Sequence, residues 1–166
     1  MILICSLFAY FRGNRELYEW QDYETVMNPH VGDFMGWLEI PLISVKLPIF
    51  HGTEETVLRK GVGHIEGSSL PAGEKTSHCL LAGHRGLPGA KLLTRLGEMQ
   101  IGDEFYIYVD EKILIYEVME ISVIRPEDGE KLMIQEGKDL ISLITCTPYG
   151  VNTHRLVVTG ERRGEE

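Results

Sequence analysis

Two different spacings of apolar residues divide the chain near residue 33. Between residues 12 and 28, Leu17, Trp20, Tyr23 and Met27 recur at intervals of three and four, the period of a helix with one buried stripe. Asn28-Pro29 ends that pattern and Gly32 marks a turn. The aromatic stripe reads as a helix packed on the rest of the domain. From Phe34 onward the apolar residues fall in short runs separated by turn formers. Residues 35–41, 45–50, 78–83, 105–109, 113–124, 141–146 and 155–160 all read as strands. Residues 53–58 read as a short helix with a capping-box start, residues 90–96 as another, and residues 130–136 as a helical turn. Many short strands with few helices predict a mostly β fold. The expected architecture is a closed or nearly closed β-barrel, with a few short helices and an N-terminal helix, rather than a parallel α/β sheet. No internal repeat or low-complexity segment interrupts it.

The first eleven residues (MILICSLFAYF) are uncharged and apolar, and polar residues begin at Arg12. Eleven is short of the roughly 20 needed to span a bilayer, and neither a basic leader nor a small-residue cleavage site is present. Of two readings, the outer end of a membrane anchor and an amphipathic helix packed on the domain, the anchor remnant is preferred. The predicted organisation is an apolar segment at 1–11, a helical segment at 12–33 and a barrel at 34–166.

Composition narrows the chemistry. A chain of 166 residues supports one domain with a sizeable core, and 43% hydrophobic with 25% charged residues describes an ordinary globular protein. A formal charge of −9 with scattered Lys and Arg excludes a phosphate-binding surface and therefore argues against nucleic acid. An acidic surface fits an amine-bearing partner, although solubility alone explains it more simply. The three cysteines, Cys5, Cys79 and Cys146, give neither a disulfide framework nor zinc spacing. Cys5 and Cys79 lie in apolar runs and read as packing residues. No carboxylate set has calcium-loop spacing, so no metal or cofactor is expected.

Cys146 is different. It ends the apolar run Ser142-Leu143-Ile144-Thr145, a Pro148/Gly150/Asn152 turn follows, and Arg155 opens the next run nine residues later. That interval suits a strand–loop–strand return that makes the thiol and the guanidinium neighbours. A thiolate is the nucleophile for acyl transfer, and a cation beside it stabilises both the thiolate and an oxyanion. His84, in Leu81-Ala82-Gly83-His84-Arg85-Gly86, ends another apolar run 62 residues before Cys146 and is the candidate for proton transfer. Weaker candidates for contact with a substrate are Arg85, Leu87, Thr145 and Tyr149. For each there is a plain alternative: a surface ion pair, a turn filler, or packing within a strand. His64 reads as structural or as part of a cleft wall.

The segments SLITC-TPYGVNTHRLVVTGER and LAGHRGLPGAKLLTRL resemble the signature segments of sortases, the cysteine transpeptidases of Gram-positive cell surfaces. The likeness extends over about residues 32–163, and the GHRGLPGAKLLTRL and TPYGVNTHR versions look most like class C, the pilin-polymerising group. The resemblance implies a barrel of about eight strands. It also implies that Cys146 attacks the Thr–Gly carbonyl of an LPxTG-like sorting signal to form a thioacyl enzyme. His84 then protonates the departing amine and Arg155 binds the oxyanion. The acceptor it implies is a lysine amine on a pilin, and the place of action is the extracytoplasmic face of the membrane. Two departures stand out. Ser142 replaces the Thr usual in the motif, and residues before Phe34 contain no Asp-Pro-aromatic lid motif, so Cys146 is expected to be accessible. The C-terminal span common in class C is also not seen. The alternatives are a sortase that anchors surface proteins to a cell-wall peptide and a non-catalytic β-barrel that binds sorting motifs or serves assembly. An L,D-transpeptidase is disfavoured, because its SHGC-type signature is not present.

Overall fold

The computed structural model describes residues 30–166. The predicted N-terminal apolar segment and the helix at 12–28 lie outside the described residues. Eight strands form a closed barrel in the order β1-β2-β3-β4-β7-β8-β6-β5. They are β1 (Phe34–Ile40), β2 (Val45–His51), β3 (Val62–His64), β4 (Ser77–Ala82), β5 (Glu104–Val109), β6 (Lys112–Ile124), β7 (Asp139–Thr147) and β8 (His154–Glu165). One short α-helix, α1 (Glu55–Leu58), follows β2, and short 3-10 turns occupy Pro41–Ile43, Leu96–Glu98 and Gly129–Leu132. The β2–β3 and β4–β7 pairs are parallel and the other pairs antiparallel.

The seven strands read from the sequence are all present; most shift by one or two residues at their ends, and β8 runs five residues further than expected, to Glu165. β3 was not legible. It has three residues, shows no alternation, and carries Gly63 at its centre, where a Cβ would lie 2.2 Å from the carbonyl oxygen of Gly52. Two helical expectations are corrected. α1 begins after Glu54 with no side-chain cap, so the capping box does not form. Residues 90–96 are not a regular helix. Leu92 has a positive φ of 36°, which breaks the helical path, and only Leu96–Glu98 coils, as a 3-10 turn.

β7 explains the apolar run that ends at the cysteine. Ile141 and Leu143 point into the barrel core with Leu38, Leu81, Phe105, Leu114, Tyr116 and Val158. Ile144 points the other way, into a second cluster with Leu58, Ile65, Leu80, Ala82, Ile124, Leu132 and Val157. A strand covered on both faces needs apolar residues at successive positions, and each fully buried Leu or Ile stabilises the fold by about 1.5–3 kcal/mol. Inside the barrel, Phe105 and Tyr116 stack at 5.5 Å, and Gly160 on β8 makes room for them. A Cβ at Gly160 would lie 2.5 Å from the Phe105 ring.

Several polar groups within this packing are paired. Tyr116 donates to Asp139 at 2.9 Å, and Arg162 bonds the same carboxylate at 3.3 Å. His51 and His64 face each other across the β2–β3 register with their Nδ1 atoms 3.0 Å apart, and His64 Nε2 donates to the Ser69 carbonyl at 3.0 Å. Burial and the neighbouring His51 push His64 down to about 4. On the outer face of β4, His78 Nδ1 donates to the Met133 carbonyl at 3.1 Å and Nε2 meets Ser142 Oγ at 2.7 Å. Ser142 in turn meets Thr159 Oγ1 at 2.7 Å. This chain of bonds ties the β6–β7 connection to the sheet. Burial pushes His78 down to about 4, so it is neutral and its Nε2 accepts from Ser142.

Candidate active site

The register of neighbouring strands pairs Cys146 with Arg155 and carries His84 to the same end of the sheet. β7 and β8 pair antiparallel with Cys146 directly opposite Arg155. β4 and β7 pair parallel up to Ala82 opposite Ile144. The ladder runs one step further, because Gly83 N donates to Ile144 O at 3.0 Å and Thr145 Oγ1 donates to Gly83 O at 2.8 Å. His84 follows immediately, two residues past Ala82, as Cys146 lies two past Ile144. Side chains alternate along a strand, so Cys146 shares a face with Ile144, and Arg155 with Val157. That face carries the second apolar cluster, so the site stands on the outside of the barrel and the cluster of Ala82, Ile144 and Val157 floors it.

Arg155 has no exposed surface, although its charge normally keeps arginine in water. Its Nη1 donates to the carbonyls of Asn152 at 3.1 Å and His154 at 2.6 Å. Nε and Nη2 are buried with no hydrogen-bond partner. Burial lowers the guanidinium below the ordinary arginine value, while the nearby Cys146 raises it. It remains a cation at any working pH. Arg155 therefore keeps two N–H groups without a protein partner on the residue paired with Cys146, and donors of this kind are able to stabilise an acyl oxygen gaining negative charge. Cys146 itself is half-buried, in contrast to Cys79, which is 1% exposed and whose thiol burial pushes well up.

His84 is also half-buried, and its Nε2 lies 3.1 Å from Glu55 Oε2 at the start of α1. The other carboxylate oxygen accepts from Arg59 Nε at 2.8 Å. Burial raises the Glu55 carboxyl, but His84 and Arg59 outweigh it and hold the group below the usual carboxylate range. Glu55 was missed in the sequence. It lies 29 residues before His84, and acidic residues at a helix start are common for reasons of the helix dipole alone.

The weaker candidates separate. Arg85 reaches the β7 end, where its Nη1 donates to Thr147 Oγ1 at 3.2 Å and approaches the Cys146 carbonyl at 3.5 Å. Tyr149 is 63% exposed and its ring lies against Gly86, where a Cβ would stand 2.0 Å from Cε2. Gly86 has a φ of +75°, so the close approach and the backbone both call for glycine. Leu87 is half-buried in the same loop. Thr145 is not brought to the thiol's face: it is 1% exposed, points to the other side of β7 and spends its hydroxyl on Gly83. Among the described residues no group of three or more His, Cys, Asp or Glu side chains is placed to hold a metal ion.

Residues 38–163 match the family model described as the sortase domain. The chain is 31% identical to sortase D of Bacillus subtilis over 137 residues, which cover 81% of this chain and 66% of that protein. It therefore spans about two thirds of that relative's length. Among solved structures it is similar to sortase C1 of Streptococcus suis, with 51% identity, 80% of this chain and 74% of the other covered, and a TM-score of 0.78. It is also similar to sortase C2 of pilus island 1 from group B Streptococcus, with 38% identity, 99% of both chains covered and a TM-score of 0.80.

Proposed function

This chain belongs to the sortase family, and on that premise we propose that it is a class C-type cysteine transpeptidase that joins pilin subunits. The observation that carries the proposal is the Cys146–Arg155 register pair, with two guanidinium N–H groups that have no protein partner, at the end of the sheet where His84 follows the adjoining parallel strand. The Cys146 thiolate attacks the carbonyl carbon of Thr in the Thr–Gly bond of an LPxTG-like signal. The oxyanion that forms takes hydrogen bonds from Arg155 Nε and Nη2. As the intermediate collapses, the C–N bond breaks, the His84 imidazolium protonates the departing glycine amine, and a thioester remains on Cys146. A lysine amine of a second pilin then attacks the thioester. Neutral His84 takes the amine's proton, and the thiolate leaves as an isopeptide bond forms. One amide replaces another, so positioning of the acceptor and exclusion of water decide the outcome more than driving force. The catalytic domain is residues 34–166, working at the extracytoplasmic face of a Gram-positive cell, with residues 1–11 as the membrane-associated segment.

Mass spectrometry of the protein with an LPxTG peptide, with and without a lysine-bearing pilin domain, tests this. A thioacyl adduct on Cys146 that is resolved onto a pilin lysine, and is lost in Cys146→Ala, His84→Ala and Arg155→Ala, is the expected result. Resolution only by a glycine or wall-peptide amine would identify an anchoring enzyme instead. No adduct with any sorting peptide would leave the binding-module alternative standing and reject the transpeptidase.

A further inference from the structure

His84 has two ring nitrogens, and one of them is already engaged. Nε2 stands 3.1 Å from Glu55 Oε2. An ionised carboxylate only accepts hydrogen bonds, so the nitrogen facing it carries the proton. Glu55 is itself fixed from the far side, since Oε1 accepts from Arg59 Nε at 2.8 Å within the same turn of α1. Each carboxylate oxygen therefore has its own donor, and the plane of the group is held at both ends. Glu55 faces the imidazole, and the other charged and titratable groups at this end of the sheet are Arg59 from α1, Arg85 from the β4 exit, and Cys146 and Arg155 from β7 and β8.

We propose that Glu55 is a positioning residue that fixes His84 with Nε2–H on the carboxylate, so that Nδ1 alone gives and takes the catalytic proton. The proposal rests on the transpeptidase function above. In the imidazolium both nitrogens carry hydrogen, and only Nδ1–H is free to pass to the departing amine. The neutral ring left behind keeps Nε2–H on Glu55 and presents a lone pair on Nδ1. That lone pair accepts the proton of the incoming lysine amine, and the imidazolium is restored. The same nitrogen serves both halves of the reaction, with no ring flip and no change of tautomer between them. The carboxylate also keeps a negative charge beside the ring in the state where the ring is positive.

The arrangement makes an unusual prediction for the isosteric change. In Glu55→Gln, Arg59 Nε–H orients the amide with its oxygen toward Arg59 and its NH2 toward His84. An NH2 group donates, so it demands a lone pair on Nε2 and drives the proton to Nδ1, the wrong tautomer for accepting a proton there. A comparable carboxylate-to-amide change behind a catalytic histidine elsewhere costs about 10⁴ in turnover. Glu55 and His84 are partly exposed, so a smaller effect is expected here. Glu55→Ala should lower turnover of an LPxTG peptide about 10- to 100-fold with KM within about twofold. Glu55→Gln should be several-fold slower still, and Arg59→Ala added to it should recover at least the Glu55→Ala rate.

The same variants are assayed in parallel on the matching Leu-Pro-x-Thr 4-nitrophenyl ester, whose phenolate departs without needing a proton. Acylation by the ester should stay within about twofold of wild type for Glu55→Ala and Glu55→Gln, which also shows that they are folded. Equal losses on peptide and ester would overturn the proposal, because a general loosening of the site would explain them. Peptide turnover within threefold of wild type, or Glu55→Gln outperforming Glu55→Ala, would also overturn it. A wild-type protein that is acylated by neither substrate would instead reject the transpeptidase function on which the proposal rests.

Discussion

Replacing Arg155 by Met should separate activity from stability. Arg155 is fully buried, and its removal would ordinarily be expected to unfold a small domain. The bonds argue otherwise. Nη1 contributes two charge-assisted hydrogen bonds to the carbonyls of Asn152 and His154, together about 3–6 kcal/mol at typical values. Against that, Nε and Nη2 are buried without partners, at a cost of about 1–3 kcal/mol each. The two terms nearly cancel, and a Met side chain of similar length fills the space. Arg155→Met should therefore unfold within about 2 kcal/mol of wild type in urea titrations. Its single-turnover thioacylation by an LPxTG peptide should fall 10²- to 10³-fold, about 2.7–4 kcal/mol, the usual loss when an oxyanion donor is removed. Arg155→Lys should also fall at least tenfold, because one ammonium does not reproduce two forked donors. The reasoning fails if Arg155→Met is destabilised by more than about 4 kcal/mol, or if it keeps more than a tenth of the wild-type acylation rate.

Three other outcomes are expected. His64 and His78 are held near 4 in the fold against 6.5 when unfolded, so below about 6.5 the unfolded chain binds protons that the native state refuses. Each should remove about 2 kcal/mol of stability between pH 7 and pH 5, and His78→Gln should roughly halve their joint loss in urea midpoints compared across that range. Gly86→Ala should destabilise the fold by about 1–2 kcal/mol through its positive φ and the Tyr149 ring. Adding Tyr149→Ala should relieve the steric part of that loss, and a strictly additive double mutant would show that the two side chains do not meet. Cys146 should be alkylated by iodoacetamide far faster than Cys79, which is buried and has a raised thiol pKa, as peptide mapping of the modified protein will show.

What was legible in the sequence depended on local pattern. The nine-residue return from Cys146 to Arg155 showed as two apolar runs around a Pro/Gly/Asn turn, and the strands pair in that register. Ala82 and Ile144 are paired in parallel across 62 residues, and no periodicity reveals such a contact. The motif supplied that link, by placing a His-bearing strand in the same family pattern. Glu55 and β3 remained hidden because their roles come from tertiary neighbours: His84 for one, and the Gly52 carbonyl against Gly63 for the other. Ser142 showed in the sequence as a replacement for the usual Thr, whereas in the fold its hydroxyl links His78 to Thr159. The helix expected at residues 90–96 failed for a similar reason. Good helix formers there follow Gly89 and are drawn back toward β4 by bonds such as Leu93 N to His84 O at 3.2 Å.

Strands β4, β7 and β8 carry the barrel core on one side, and on the other β7 and β8 carry the thiol and the guanidinium. Successive residues on β7 and β8 thus answer to different constraints: Thr145 and Leu156 to the interior, Cys146 and Arg155 to the outer face. The spacing of Cys146 and Arg155 is set by a backbone ladder, while the segments after Gly86 and Pro148 lie outside it. Those two loops are the natural place to graft new recognition, because exchanging them is expected to leave Cys146 and Arg155 in register.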